Sequence, residues 1–365
     1  MGVGLSAGSE PPRAAEPLTD SGRLEWMDLL RGLAVLLVVL LHAEVLIPGR
    51  TGVELPGWTQ VANDTLAPVR IPLLIILSGM LLGASLGKGS ARFFGGKLRH
   101  IAWPFLVWTG VYTAVVMRPG SVGDFLLGAT YLWYLLFLLI YYAAARLLSP
   151  LPTTGVAAVA FVFAVLAPED SKYLERMAYL FALFLLGHLL AGSPRLLRWA
   201  ACSPWALGVA GLLLLAHVLL GDPGAGYGPG TLLATLAGLL AGMRLGRLVA
   251  GSRVVSPLRF VGRASLVYYV VHFPVLVVLA SVVALAGLRD PFVVLVGWVA
   301  ALAVCTVLAL LRDRPQVSWL FLFPETWLRG GRRPGGTAPP AVRGGGAPAG
   351  SRPSPSRPPE GRRSG

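Results

Sequence analysis

Asp28, Arg31 and His42 share one apolar stretch, RLEWMDLLRGLAVLLVVLLHAEVL, at residues 23–46. An imidazole that titrates near neutrality can take the proton of a hydroxyl as that hydroxyl attacks a carbonyl, and a guanidinium can hold an anion through its forked N–H donors. Arg31 and His42 are eleven residues apart, which on a helix returns to within about 20° of the starting direction, about 16 Å further along the axis. The two side chains look into the same space. Asp28 falls within about 40° of that line, at the i, i+3 spacing that pairs an aspartate with an arginine.

A polar stripe on such a helix needs a surrounding that explains it. The chain of 365 residues is 55% hydrophobic and only 13% charged, with a mean hydropathy of +0.70. Apolar runs long enough to cross a bilayer recur as far as position 312, which predicts an all-α polytopic membrane bundle rather than a soluble core. Ten spans are expected, near 27–47, 66–86, 101–117, 125–146, 153–168, 173–191, 203–221, 229–249, 264–286 and 291–311. A charge at bilayer depth costs roughly 2.5–3.5 kcal/mol, so residues such as Arg31 and His42 are expected to face the bundle interior or a wet cavity. Arg31 sits near a helix end, where snorkelling to the interface with Asp28 as partner is the structural alternative. His42 is too deep for that, and its alternative is an imidazole bonded to a neighbouring helix.

Basic residues orient the bundle. With the N-terminus inside, one set of segments carries Lys88, Arg92, Lys97, Arg99, Arg146, Arg195, Arg198, Arg244, Arg247, Arg253, Arg259 and Arg263, while the opposite loops carry Arg50, Arg118, Lys172, Arg176 and Arg289. That asymmetry predicts both termini in the cytoplasm. It also accounts for much of the net charge of +14, so no nucleic-acid partner is expected from the high pI. Residues 1–22 lack the layout of a cleavable signal, and the expected division is a cytoplasmic segment over 1–25, the membrane domain over 26–312 and a cytoplasmic tail over 313–365. From about residue 329 the tail is Gly, Pro, Ser and Arg with little to bury, and is expected to be disordered. Cys202 and Cys305 stand apart and read as packing residues. The preponderance of arginine over lysine suggests a GC-rich bacterial source.

WMDLLRGLAVLLVVLLH (26–42) resembles the first span of the membrane acyltransferase 3 family, in which Asp-x-x-Arg-Gly-x-Ala leads into an apolar run that ends in His. RIPLLIILSGMLLGASL (70–86), FFGGKLRHIAWPFLVW (93–108), YLWYLLFLLIYY (131–142) and FVGRASLVYYVVHFPVL (260–276) are similar to later blocks of that family, in the same order. The resemblance implies a ten-span bundle that transfers an acyl group, commonly acetyl from acetyl-CoA, to a hydroxyl of a carbohydrate acceptor. It implies His42 as general base, Arg31 as the residue that orients the donor or binds its phosphates, and Asp28 as the residue that orients Arg31.

A polyanionic cytoplasmic donor should meet basic residues at the inner side, and Arg92, Lys97, Arg99 and His100 are the candidates. The family usually has Arg-x-x-Arg here; this chain has Lys97-x-x-His100, with Arg99 out of register. Ordinary positive-inside charge is the competing explanation. On the acceptor side, Arg70 opens the second span, and Tyr268 and His272 share a face of the ninth span with Ser265. Ser78 and Gly79 are read as allowing close helix approach, and His188 and His217 as structural.

The G-x-S-x-G match GLSAG at 4–8 lies in the N-terminal segment with no strand-turn-helix pattern to make it a nucleophile elbow, and there is no P-loop, soluble HxxxD acyltransferase motif or metal-ligand spacing, so no metal is expected. Expected partners are the lipid bilayer of a bacterial plasma membrane and an acceptor that is an exopolysaccharide, cell-wall glycan, glycolipid or glycosylated natural product. A transporter or flippase for a glycan or glycolipid is the rival class, because intramembrane polar residues also mark substrate paths. The two halves lack a convincing repeat, which counts against it.

Overall fold

A computed structural model describes residues 25–116, 130–220, 226–249 and 251–324. The segment before Glu25, and the tail expected to be disordered, lie outside them. Helices form wherever the apolar runs are: α1 (Glu25–Thr51), α2 (Gly57–Gly79), α3 (Leu82–Leu86), α4 (Ser90–Lys97), α5 (Trp103–Val116), α6 (Trp133–Leu147), α7 (Thr153–Leu166), α8 (Lys172–Ala191), α9 (Pro194–Cys202), α10 (Trp205–Leu220), α11 (Leu232–Val249), α12 (Ser256–Arg263), α13 (Ser265–Leu285), α14 (Phe292–Leu311) and α15 (Pro315–Ser318). No strand occurs among the described residues.

The expectation of ten spans is met only in part. Among the described residues six helices are long and apolar enough to cross a membrane, or seven if α9 and α10, bent by 90° at their junction, form one broken span. α6 and α7 are shorter apolar helices, and α5 ends where the described chain breaks off. The second span also differs from its expected bounds. It starts at Gly57 and stops at Gly79, because the polar turn around Asn63 and Asp64 continues the helix outward and α3 is a separate short helix.

α1 is the axis of the bundle and packs against α2, α11, α12, α13 and α14. Two crossings bring backbones into contact through reciprocal glycines. A Cβ on Gly79 would run into the Phe184 carbonyl and one on Gly187 into the Ile76 carbonyl, which locks α2 on α8; Gly32 and Gly262 meet the carbonyls of Leu258 and Asp28 in the same way, locking α1 on α12. In lipid, where burial gives little drive between helices, such close approach is a main source of packing energy.

Proline placement shapes the site. Pro274 lies inside α13 and has no N–H, so the carbonyl four residues earlier, that of Val270, is freed from the helix ladder. The Tyr131 hydroxyl donates to it at 2.6 Å. Just before Pro104, residues Leu98–Ala102 form a π-helical turn between α4 and α5, a widening common at functional sites.

Residues beyond 312 are part of the packing. Trp319 and Leu320 offer their carbonyls to the indole N–H groups of Trp103 and Trp108 at 2.6 and 3.0 Å, and Phe321 stacks on Trp108 with ring centroids 5.8 Å apart.

Candidate active site

Asp28, Arg31 and His42 all lie on α1, but Arg31 and His42 do not open into one cavity as their spacing suggests. Asp28 is buried, 3% exposed, at the contact with α12. One turn on, Arg31 donates from Nη2 to the Leu77 carbonyl of α2 at 3.0 Å. That carbonyl belongs to the last turn of α2, where helix carbonyls lack intrahelical partners and favour a cation. The neighbouring Ser78 carbonyl is taken by the Tyr142 hydroxyl at 3.1 Å.

Arg31 also faces a cavity of about 220 Å³, whose polar lining is Arg31, Ser78, His100, Tyr134, Tyr142, Ser265 and Tyr269. Ser78 Oγ donates to the Leu74 carbonyl at 2.7 Å, which leaves its lone pairs for the Tyr134 hydroxyl at 3.2 Å. At the end of the bundle where α4 lies, Lys97 Nζ sits 3.4 Å from the Tyr142 ring centroid and donates to Ser85 Oγ at 3.1 Å. Burial, with repulsion from Lys88 added, lowers Lys97 to about 8. His100 lines the cavity from the π-helical turn and its Nδ1 lies 2.9 Å from the Gly96 carbonyl. Of the other proposed donor-binding residues, Arg99 is half-buried in that turn and Arg92 is exposed on α4; neither lines the cavity.

His42 does not line it either. Its imidazole is two turns beyond Val35, where Nδ1 lies 2.8 Å from the Val38 carbonyl and 3.2 Å from Nε2 of His272 on α13. His272 is fully buried, and its own Nδ1 lies 3.0 Å from the Tyr268 carbonyl. Phe273 meets the His42 ring edge-on at 5.3 Å and stacks on Tyr131 at 4.5 Å. Tyr269, whose ring centroid is 6.0 Å from that of His272, joins this histidine pair to the cavity wall.

The three acceptor-side candidates separate. His272 touches His42. Tyr268 turns its hydroxyl the other way, to Thr306 of α14 at 2.7 Å, and serves the pair only through its carbonyl. Arg70 is 3% exposed; it donates from Nη1 to Asn63 Oδ1 at 2.9 Å and from Nη2 to the Asn63 carbonyl, while its buried Nε has no hydrogen-bond partner. Asn63 Nδ2 in turn donates to Glu44, two residues beyond His42, at 2.5 Å.

A family model described as an acyltransferase domain matches residues 24–311. The chain belongs to the acyltransferase 3 family. No curated protein and no solved structure matches it significantly. The matched region runs from just before α1 to the end of α14 and holds Asp28, Arg31, the cavity and the histidine pair. The acyltransferase is a multi-pass membrane protein.

Three residues of this membrane acyltransferase's cavity were missed from the sequence, Tyr134, Tyr142 and Tyr269, and so, outside the cavity, were Asn63 and Glu44, through which Arg70 is held. The tyrosines left a signal, because Tyr134, Leu138 and Tyr142 recur at every fourth position of one helix face, as Ser265 and Tyr269 do. Asn63 left none, because it lies in a polar stretch that reads as a loop.

Proposed function

We propose that this acyltransferase moves an acyl group, acetyl being the simplest, from cytoplasmic acyl-CoA to a hydroxyl of a carbohydrate or glycosylated acceptor. The donor is a substrate, and its chemistry assigns parts to residues already described. A cavity of about 220 Å³ is smaller than the ~300–1,000 Å³ that drug-sized ligands occupy, so it suits the narrow acyl-thioester arm and leaves the nucleotide outside. The phosphates would then meet Lys97, His100 and the nearby Arg92 and Arg99, while Arg31 faces the arm from the cavity wall. The positive-inside distribution supports a cytoplasmic side for this end, and for both termini.

The acceptor approaches the other end of the stripe, where Arg70 stands. The His42 imidazole removes the hydroxyl proton as the oxygen attacks the thioester carbonyl. The tetrahedral oxyanion collapses, the C–S bond breaks, and the departing thiolate takes the proton back from the imidazolium. An ester and free CoA result, and His42 returns neutral.

The observation that supports this reading most strongly is that Arg31 faces a cavity while His42, on the same helix face, meets a second buried histidine, with Tyr269 linking the two places. Mass spectrometry of envelope glycans and glycosylated metabolites from a strain lacking the gene tests it. An acyl increment should disappear and should return with the wild-type gene. An unchanged acyl profile alongside a glycan that accumulates on one side of the membrane would contradict the reading.

A further inference from the structure

We infer that His272 is a positioning residue that, together with the Val38 carbonyl, holds the tautomer of His42, so that His42 keeps its proton on Nδ1 and presents a bare Nε2 to the acceptor hydroxyl. The inference rests on the proposed role of His42 as base, but its structural half stands by itself.

Carbonyl oxygens only accept hydrogen bonds. The His272 Nδ1 lies 3.0 Å from the Tyr268 carbonyl, so it carries a hydrogen, and the His42 Nδ1, 2.8 Å from the Val38 carbonyl, does too. A neutral His272 with its proton on Nδ1 has a lone pair on Nε2. That lone pair points at the His42 Nδ1–H, 3.2 Å away, which is then shared between Val38 and His272. One proton assignment satisfies all three contacts with both rings neutral.

The opposite assignment fails on energy. If the proton between the rings belonged to His272 Nε2, His272 would carry hydrogens on both nitrogens and be a cation at a fully buried position, and the His42 lone pair would face the Val38 carbonyl. Among the described residues no carboxylate is hydrogen-bonded to either ring to offset that charge. Which ring nitrogen of a histidine keeps the proton is set by what the other nitrogen bonds. When Nε2 takes the acceptor proton, the Nδ1–H still points at two acceptors, Val38 and His272, which hold the imidazolium in place without a charged partner.

The test is histidine-selective ¹⁵N NMR of the full chain in nanodiscs, which separates protonated from bare ring nitrogens; His42→Gln removes one pair of signals and so assigns it. The wild type should show His42 protonated on Nδ1 and bare on Nε2. A His42 protonated on Nε2, or a cationic His272 at neutral pH, would overturn the inference, and neither result needs a variant of His272 to fold. In His272→Phe, which keeps a ring but offers no acceptor, the His42 signals should shift toward a mixture of tautomers. Transfer turnover should fall about tenfold or more with the donor KM within about twofold, and His272→Gln, which can still accept, should recover part of it. An unchanged tautomer and turnover in His272→Phe would contradict the positioning role. Retention of transfer in His42→Ala would remove the base assignment while leaving the tautomer result intact, so the two failures are distinguishable.

Discussion

Arg31 of α1 and Leu77 of α2 are joined by a guanidinium-to-carbonyl hydrogen bond of 3.0 Å, made at the point where α2 ends and the cavity begins. The same side chain therefore closes a helix C-terminus and faces the space proposed for the thioester arm. Its two roles predict two losses. Arg31→Ala should weaken donor binding and also lower stability by about 1.5–3 kcal/mol, the range for a hydrogen bond to a charged group. Arg31→Lys should recover more stability than transfer, because an ammonium satisfies one carbonyl but lacks the fork. Thermal unfolding and donor KM on the same preparations check the split.

Lys97 gives the site a pH signature, since α4 lies outside the candidate spans. Burial, then repulsion from Lys88, holds its pKa down at about 8 instead of the ordinary 10.5. Below pH 8 it is a cation against Tyr142 of the cavity wall; as pH rises through 8 that charge is lost, so donor KM should rise. Lys97→Arg should flatten the rise. Between 8 and 10.5 the unfolded chain holds more protons at this position than the folded one, so this group makes the fold more stable as pH increases. A KM that climbs together with alkaline unfolding would point to another cause.

The glycine crossings predict where a single methyl group is not tolerated. Gly187→Ala and Gly262→Ala place a Cβ against the backbone carbonyls of Ile76 and Asp28 and should destabilise by about 1–3 kcal/mol, the usual cost of overpacking. Gly211→Ala, which meets nothing within 4 Å, should be neutral. Thermal unfolding in one detergent compares all three. Gly262→Ala should also disturb transfer, because it moves the α1 turn that holds Asp28.

Phe321 predicts that the chain past 312 matters. It is 7% exposed and stacked on Trp108, so Phe321→Ala should cost roughly 3 kcal/mol, the lower end for a buried phenylalanine. Ending the chain at Pro324 should leave stability and transfer near wild type. A truncation at Pro324 that loses transfer while remaining folded would assign the remaining residues a role beyond anything their composition suggests.

Much of the fold was legible in the sequence, for reasons that also mark where legibility stops. The direction of a side chain follows from helix period alone, so the shared face of Arg31 and His42 could be read from their spacing. Which helix lies opposite cannot be read this way. His42 and His272 are 230 residues apart, and their contact depends on how α1 and α13 cross. The start of α2 was hidden because GWTQVAND is polar, yet that stretch is helical and supplies the Asn63 link between Glu44 and Arg70. Tyr268 was placed correctly on a face shared with His272, but its hydroxyl turns to Thr306, because a ring at the edge of such a face can serve either neighbour.

If His42 is the base of acyl transfer, His42→Ala in purified, nanodisc-inserted protein separates donor binding from chemistry when labelled acyl-CoA binding and acyl transfer are followed side by side. Donor binding should stay within about twofold of wild type while transfer falls by about 10²- to 10⁴-fold, the range for a lost general base. A well-inserted His42→Ala protein that transfers acyl groups at nearly the wild-type rate would contradict that role.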